Sequence, residues 1–471
     1  MAHVLSGLPR KVCITGARGL VRKGGGAGNS GSVTKPKHLI QSVLQDALVT
    51  DTKGLLRLSD LDGLVAVPSL TDPHFMEAHY QATCLGLFPA EKPLRVRTID
   101  TGGAGPVSAL LEAAQMIECE NCEVVAVVAG DCVGSLSSAE FLRRADASCQ
   151  NLEHPMPSPV IPHGYDRYTS HLLNQGHCTR DQLRLVPVLE SWHSSSFAAT
   201  ADRSSSSSSY TPLTKKPLSL AQVREAEPVT ENISLLECAR RADGAAAIVL
   251  ASNRFLLRRL QERDGAYDES WLSKLPVVLG GAEASGPLYP PPLEEVTGAH
   301  FSSGEAACRF AYEEACLAPE DIDFFGLYDC FPVCFLKALE AAGVAPAGKA
   351  GDLLQGLHDE FAPVLFSAEH HSLPQLHGEG RSLADIDPAA YRRFLEKFPI
   401  NTHGGLLAFG APWEVPAAFN VVEAVRHLRQ AAMATTSSGV PASSVRNCRR
   451  ALVYGNGGIF SASAVAILGV R

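Results

Sequence analysis

The run Gly326-Leu-Tyr-Asp-Cys-Phe-Pro-Val-Cys-Phe335 joins a strand-like segment, Ile322 to Leu327, to a helix-like one, Val333 to Ala342. The turn between them holds a tyrosine, an aspartate and a cysteine. Strand ends that feed helix starts carry chemistry in α/β proteins, because the first helical N–H groups lack partners and the helix dipole favours negative charge. Cys330 in that place suits work as an acid, a base or a nucleophile. It equally suits a small buried core residue between Asp329 and Phe331, as free cysteines often are.

Outward from this turn the same grammar repeats. Upstream lie a strand at Pro276 to Leu279 and a helix at Ser303 to Cys316. Downstream comes a polar, histidine-bearing stretch from Gly343 to Pro399, then Asn401-Thr-His-Gly-Gly405 and a helix from Val415 to Arg429. Two strands, Arg450 to Tyr454 and Ala462 to Leu468, flank the turn Gly455 to Gly458. The N-terminal part reads alike: strands Lys11 to Gly16, Leu61 to Pro68, Leu94 to Ile99 and Val124 to Ala129 alternate with helices at Pro36 to Leu48, Phe75 to Leu85 and Val107 to Ile117. The turn Thr101 to Gly105 opens the last of these helices. Alternation of this kind means a mostly parallel sheet covered on both faces. Residues 132 to 235 break the pattern with prolines, histidines, short periodic pieces and the serine run Ser204 to Ser209, a solvated linker. The buried strand Asp243 to Leu250 then resumes it, and a helix from Arg254 to Glu262 leads out of this half. The expected division is an N-terminal half over 1–131, completed by 236–265, an insertion over 132–235 and a second half over 266–471.

Composition narrows the function. With 471 residues, 45% hydrophobic and 19% charged, the chain is globular and long enough for two or three domains. A net charge of -9 argues against nucleic acid or an anionic membrane as partner. No apolar run approaches the roughly 18 residues of a membrane span. Thirteen scattered cysteines read as reduced thiols, and the lone pair Cys119 and Cys122 lacks a second pair at zinc spacing, so no metal is expected. Glycines 24 to 31 match no phosphate-loop pattern, and His370, His371 and His377 read as a solvated cluster. The first 45 residues hold seven Lys and Arg, Arg10 to Lys37, and no Asp or Glu. That bias resembles a mitochondrial import signal, the alternative being a cytoplasmic protein.

Five short motifs, in order and over nearly the whole chain, resemble the thiolase superfamily near the sterol carrier protein 2 thiolases: Gly102 to Gly105, Asp243 to Ser252, Tyr328-Asp-Cys-Phe331, Asn401 to Gly405 followed by Gly410-Ala-Pro412, and Tyr454 to Gly458. The resemblance implies a thiolase fold, two βαβαβαββ halves in five layers with a loop domain inserted in the first. It implies a homodimer and a CoA-ester site where helix N-termini of both halves meet, with no cofactor beyond the CoA ester itself. It places the family's nucleophilic cysteine at Gly103, its activating histidine at Ala411 and its C-terminal cysteine near Tyr454 and Gly455. Of these actors only the loop cysteine survives, at Cys330, with Tyr328 in place of the loop histidine. Without a nucleophile no acyl-enzyme forms, so ordinary thiolase activity is not expected.

The expected site therefore comprises Cys330 as proton carrier, Tyr328 as hydrogen-bond donor and His403, facing either the substrate or a neighbouring loop. Binding groups are the backbone at Gly103, Gly455 and Gly457, with Asn401 and Tyr454. Trp413 and Glu414 stand where the family has small residues and narrow the pocket. Enolate chemistry such as decarboxylation of a malonyl-type CoA ester is the preferred expectation. The alternatives are a non-catalytic acyl-CoA sensor and a retro-aldolase working with a small acyl-CoA-binding partner, as thiolase-like steroid side-chain aldolases do.

Overall fold

The computed structural model describes residues 12–24, 34–88, 92–150, 153, 155–200, 210–264, 269–287, 292–296, 302–366, 386–433 and 444–470. The N-terminal residues through Lys11, most of the glycine loop, the serine run and the three histidines His370, His371 and His377 lie outside them.

In chain order the first half builds β1 (Val12–Arg22), α1 (Pro36–Gln45), β2 (Gly63–Ala66), α2 (Glu77–Cys84), β3 (Arg95–Thr98), α3 (Gly105–Glu118) and β4 (Val124–Asp131). The insertion holds α4 (Ser138–Cys149), α5 (Val160–Asn174), α6 (Arg180–Thr200) and α7 (Leu220–Arg224), and the half closes with β5 (Asp243–Ser252). Next come α8 (Asn253–Asp264), α9 (Glu269–Leu272), β6 (Val277–Ser285), α10 (Ser302–Ala315), β7 (Phe324–Gly326) and α11 (Pro332–Ala341). Helices α12 (Ala350–Leu365), α13 (Pro388–Lys397) and α14 (Pro416–Met433) and strands β8 (Arg450–Gly457) and β9 (Ala462–Gly469) complete the chain.

The nine strands of the described residues are hydrogen-bonded in the order β3-β2-β4-β5-β1-β6-β9-β8-β7, as two sheet halves joined at a narrow β1/β6 seam with the single register pair Cys13 and Val277. Away from the β1/β6 seam the first half runs β1-β5-β4-β2-β3 and the second β6-β9-β8-β7, the same order with one strand fewer. The third strand of the second half shrinks to a single bridge, Phe325 to Ile400, immediately before Asn401. Long runs of Val, Ile, Leu and Ala in β4, β5 and β9 follow from burial on both faces, as in α/β proteins.

Strand alternation shows the layering. On β4, Val124, Ala126 and Val128 pack with α1 and α8, whereas Val125, Val127 and Ala129 pack with α3. On β6, a side chain at Gly280 would meet Ala315 of α10, and one at Gly281 would meet Leu111 of α3. Helix α3 also touches β8 and β9, and α14 touches β1 as well as β7 and β8. The order is thus outer helices, sheet, central α3 and α14, sheet, outer helices: the thiolase fold in its five layers.

Three stretches depart from the sequence reading, and so does the sheet, which is mixed, with more antiparallel than parallel neighbours, and not mostly parallel. The insertion is no run of short pieces, for α6 spans 21 residues and buries nearly all of its C-terminal half, Ser191 to Phe197 included. Its serines turn their hydroxyls onto the helix's own carbonyls, Ser191 on Val188 at 2.6 Å and Ser195 on Ser191 at 2.7 Å. Polar composition there is no sign of solvent. Likewise the stretch 343–399 contains α12 and α13, which pack on α6. The presumed turn Gly455 to Gly458 is strand through Gly457.

Candidate active site

A cleft of 1160 Å³ opens where the two halves and the insertion meet. Its walls are the Thr101 to Gly103 turn ahead of α3, the β7–α11 loop with Tyr328, Cys330 and Phe331, the end of β8 from Asn456, the segment Ala411 to Glu414, and α4 and α5.

The β7–α11 loop is held from below by the Asn401 to Gly405 motif. Asn401, left-handed at φ 46°, accepts from Leu327 N at 2.8 Å and donates to Leu327 O at 2.8 Å and to Glu190 at 3.0 Å. Asp329 turns away from the cleft and accepts from the N–H groups of Leu406 and Leu407 at 2.9 and 3.1 Å, the free donors of the 405–409 turn. A Cβ at Gly405 would stand on that carboxylate, and Gly405 has φ 61°, so glycine is required there. Burial beside Asp329 keeps Glu190 protonated, and burial raises Asp329 to about 6.

Two expectations change here. Asn401 does not line the cleft; it is a bracket for the loop. His403 lies in the core, its ring 4.7 Å from that of Phe409, and burial lowers its pKa to about 4. His403 therefore faces the neighbouring elements and does not reach the substrate space.

Cys330 and Tyr328 do line it. Cys330 precedes the N-cap residue Phe331, and Pro332 occupies the first helical position. Its thiol is in hydrogen-bond reach of Tyr165 and Cys334. Tyr165 stacks on Phe331 at 4.7 Å, donates to Gly458 O at 3.0 Å and accepts from Asn456 at 2.9 Å, tying the insertion to β8. Burial raises both Tyr165 and Tyr328 well above the usual phenol range, so both are donors.

Gly103 and Tyr328 form one unit. A Cβ built on Gly103 would overlap the Tyr328 hydroxyl and approach Asn456 O at 2.5 Å. The phenol thus fills the space that any side chain at 103 would need. Gly102 and Gly103 open a short helical turn in which the Ala104 N–H is taken by Thr101 O at 3.3 Å and the Gly105 N–H by Gly102 O, so the N–H groups of Gly102 and Gly103 are its leading donors. Gly457 lines the cleft, and a side chain there would strike Thr101 O. Gly455 lies behind the wall, 2.9 Å from Ala104 Cα by the same test, and serves close packing of β8 on the turn. Tyr454 is fully buried and bonded to Ser463 at 3.0 Å, outside the cleft, because strand alternation points it to the core.

Glu414 is the group whose importance the sequence reading missed. It lines the cleft, and its Oε2 is buried without a hydrogen-bond partner. Burial, with Asp100 and Asp131 adding repulsion, raises it to about 8. Only its neighbours in space reveal this. No group of His, Cys, Asp and Glu able to hold a metal occurs among the described residues.

Comparison with known proteins supplies the remaining context. A model described as the thiolase C-terminal domain-like family matches residues 293–365 and 375–470. Sterol carrier protein 2 of Oryctolagus cuniculus is 32% identical over 143 residues, 30% of this chain and 24% of the relative. The chain thus matches about a quarter of the length of such curated relatives. Among solved structures, the Ltp2-ChsH2(DUF35) aldolase superposes with a TM-score of 0.66 at 21% identity, covering 98% of both chains. A monomeric SCP2-thiolase like protein type 1 from Mycobacterium smegmatis gives 0.59 at 17%, covering 98% of this chain and 78% of the other.

Proposed function

We propose that the chain is a sterol carrier protein 2 thiolase-like member of the thiolase superfamily, a reading supported by the family match and the relatives above, and that it binds CoA esters in the cleft and performs enolate chemistry on them without an acyl-enzyme. The observation that carries this reading is the Tyr328 hydroxyl in the space above Gly103. A thiolase needs a nucleophile at that point, and here a hydrogen-bond donor replaces it. Ala411 likewise offers no base.

What stays in place suits an enolate. Tyr328 and the free N–H groups of the Gly103 turn are donors for a thioester oxygen that gains charge. Cys330, on the same loop as Tyr328, is the proton carrier for the α-carbon. Decarboxylation of a malonyl-type ester uses these parts directly: the C–C electrons pass into the enolate, carbon dioxide leaves, and a proton is added at the α-carbon. Arg143 and Arg144 on α4 line the cleft and share the single carboxylate of Glu140, leaving a net positive charge there for the CoA phosphates. The exposed edge strand β3 is the place for a second copy in a homodimer.

Incubation with malonyl-CoA tests the reading through acetyl-CoA release, with CoA-dependent thiolysis of acetoacetyl-CoA expected to be absent. Binding without release would favour an acyl-CoA sensor. A second reading, retro-aldol cleavage of a 3-hydroxyacyl-CoA, draws support from Tyr328 in the cleft and from the likeness to an aldolase solved with a DUF35 partner. Cleavage that appears only with a co-purifying partner would favour it.

A further inference from the structure

The two residues that remove the expected pair, Gly103 and Ala411, are matched by two gains nearby. One is Tyr328 over Gly103. The other is Glu414, three positions beyond Ala411. If a Cβ were built on Gly105, in the opening turn of α3, Glu414 Oε2 would lie 3.8 Å from it. The carboxyl therefore sits close to the same turn that Tyr328 covers, and the two groups are near enough to interact electrostatically.

The local backbone shows that this placement is held against strain. Trp413 has φ 53°, a left-handed conformation that costs a bulky residue roughly 1–3 kcal/mol. Its ring packs edge-on against Phe141 at 6.1 Å, and Phe141 in turn lies under the Arg241 guanidinium at 4.7 Å. The Glu414 Oε2 is left buried with no hydrogen-bond partner among the described residues, a loss of about 1–3 kcal/mol that no packing need explains. Strain and an unmet polar group at one point of a cleft are the signature of a group kept for a ligand.

We infer that Glu414 is a second proton-transfer group of the cleft, besides Cys330, acting with Tyr328 on the α-carbon of a bound CoA ester. This rests on the enolate reading above. In the protonating direction the Glu414 O–H bond breaks, its proton joins the α-carbon, and the enolate electrons form the new C–H bond while the oxyanion returns to a thioester carbonyl. Water then reprotonates the carboxylate. In the reverse direction the carboxylate takes the α-proton and the enolate forms. Burial and the negative charges of Asp100 and Asp131 favour the neutral form of Glu414, with the Trp413 side chain opposing them in part, so the acid is available near neutral pH.

The test uses acetyl-CoA in deuterium oxide, with deuterium at the methyl carbon as readout, so that no net reaction is needed. Wild type is expected to exchange, faster as pH rises through about 8 because exchange needs the carboxylate. Glu414→Gln should slow exchange by roughly 10²-fold or more and remove that pH dependence, while binding acetyl-CoA with unchanged affinity. Equal exchange in wild type and Glu414→Gln overturns the inference and leaves the enolate reading standing. Absence of exchange in a wild-type protein that binds acetyl-CoA overturns both.

Discussion

Tyr328 and Gly103 share one volume, and that sharing has a measurable energy. Gly103→Ala forces its methyl group onto the Tyr328 hydroxyl and Asn456 O, an overpacking expected to cost about 1–3 kcal/mol. Much of that cost should vanish in a Tyr328→Ala background, where only the Asn456 contact remains. A double-mutant cycle by denaturant unfolding is expected to give a coupling of roughly 1–3 kcal/mol, and additive effects would separate the two residues. Gly103→Cys alone is expected to give no thiolysis, for the same steric reason. Glu414 adds a pH signature. Its folded pKa of about 8 exceeds the unfolded value of 4.5, so the native state holds the extra proton between them. Wild type should therefore lose stability relative to Glu414→Gln as pH rises through that window, seen in paired thermal unfolding curves. A constant difference would place Glu414 in an ordinary solvated setting.

At the scale of elements, the β7–α11 loop stands on Asn401 and the 405–409 turn. Asn401→Ala leaves Leu327 N–H, Leu327 O and the Glu190 carboxyl short of a partner, and about 2–5 kcal/mol of stability should go with them. Turnover should fall as well, because Cys330 and Tyr328 ride on that loop. Acid acts on the same layer. His403, lowered to about 4 from 6.5, stays neutral in the fold, so its contribution is present above pH 6.5 and is lost as pH falls toward 4. Over that range the stability of His403→Leu should gain on wild type by about 3 kcal/mol, and a pH-independent gap would refute the buried, neutral assignment. These elements also show what a sequence conveys. Strands β4, β5 and β9 were legible because burial on both faces demands unbroken apolar runs. Helix α6 was not, since its buried Ser191 to Ser196 hide their hydroxyls in the helix itself. The Asn401 to Gly405 motif was found, yet its purpose was misjudged. Gly405 answers to the Asp329 carboxylate, 76 positions away along the chain, and Gly404 to Ser194 of α6, contacts invisible without the fold.

For the molecule as a whole, the thiolase fold brings the starts of α3 and α11 to one cleft, and the insertion closes it through Tyr165. Motif order sufficed to recognise that plan. Replacement of the expected cysteine and histidine was equally legible at Gly103 and Ala411, whereas the compensating positions of Tyr328 and Glu414 required coordinates. Mitochondrial import, proposed from the basic, acid-free first 45 residues, is checked by locating a copy tagged at its C-terminus; cytosolic retention would reject it. Cys330→Ala is expected to cut malonyl-CoA turnover by about 10²-fold with binding preserved, and an unaffected rate would remove the thiol from the mechanism. The most direct single measurement is intact-protein mass spectrometry during malonyl-CoA turnover, with acetyl-CoA quantified in the same sample. Acetyl-CoA should accumulate while the protein mass stays unchanged; a protein heavier by one acyl group, or binding with no acetyl-CoA formed, would contradict enolate chemistry without an acyl-enzyme.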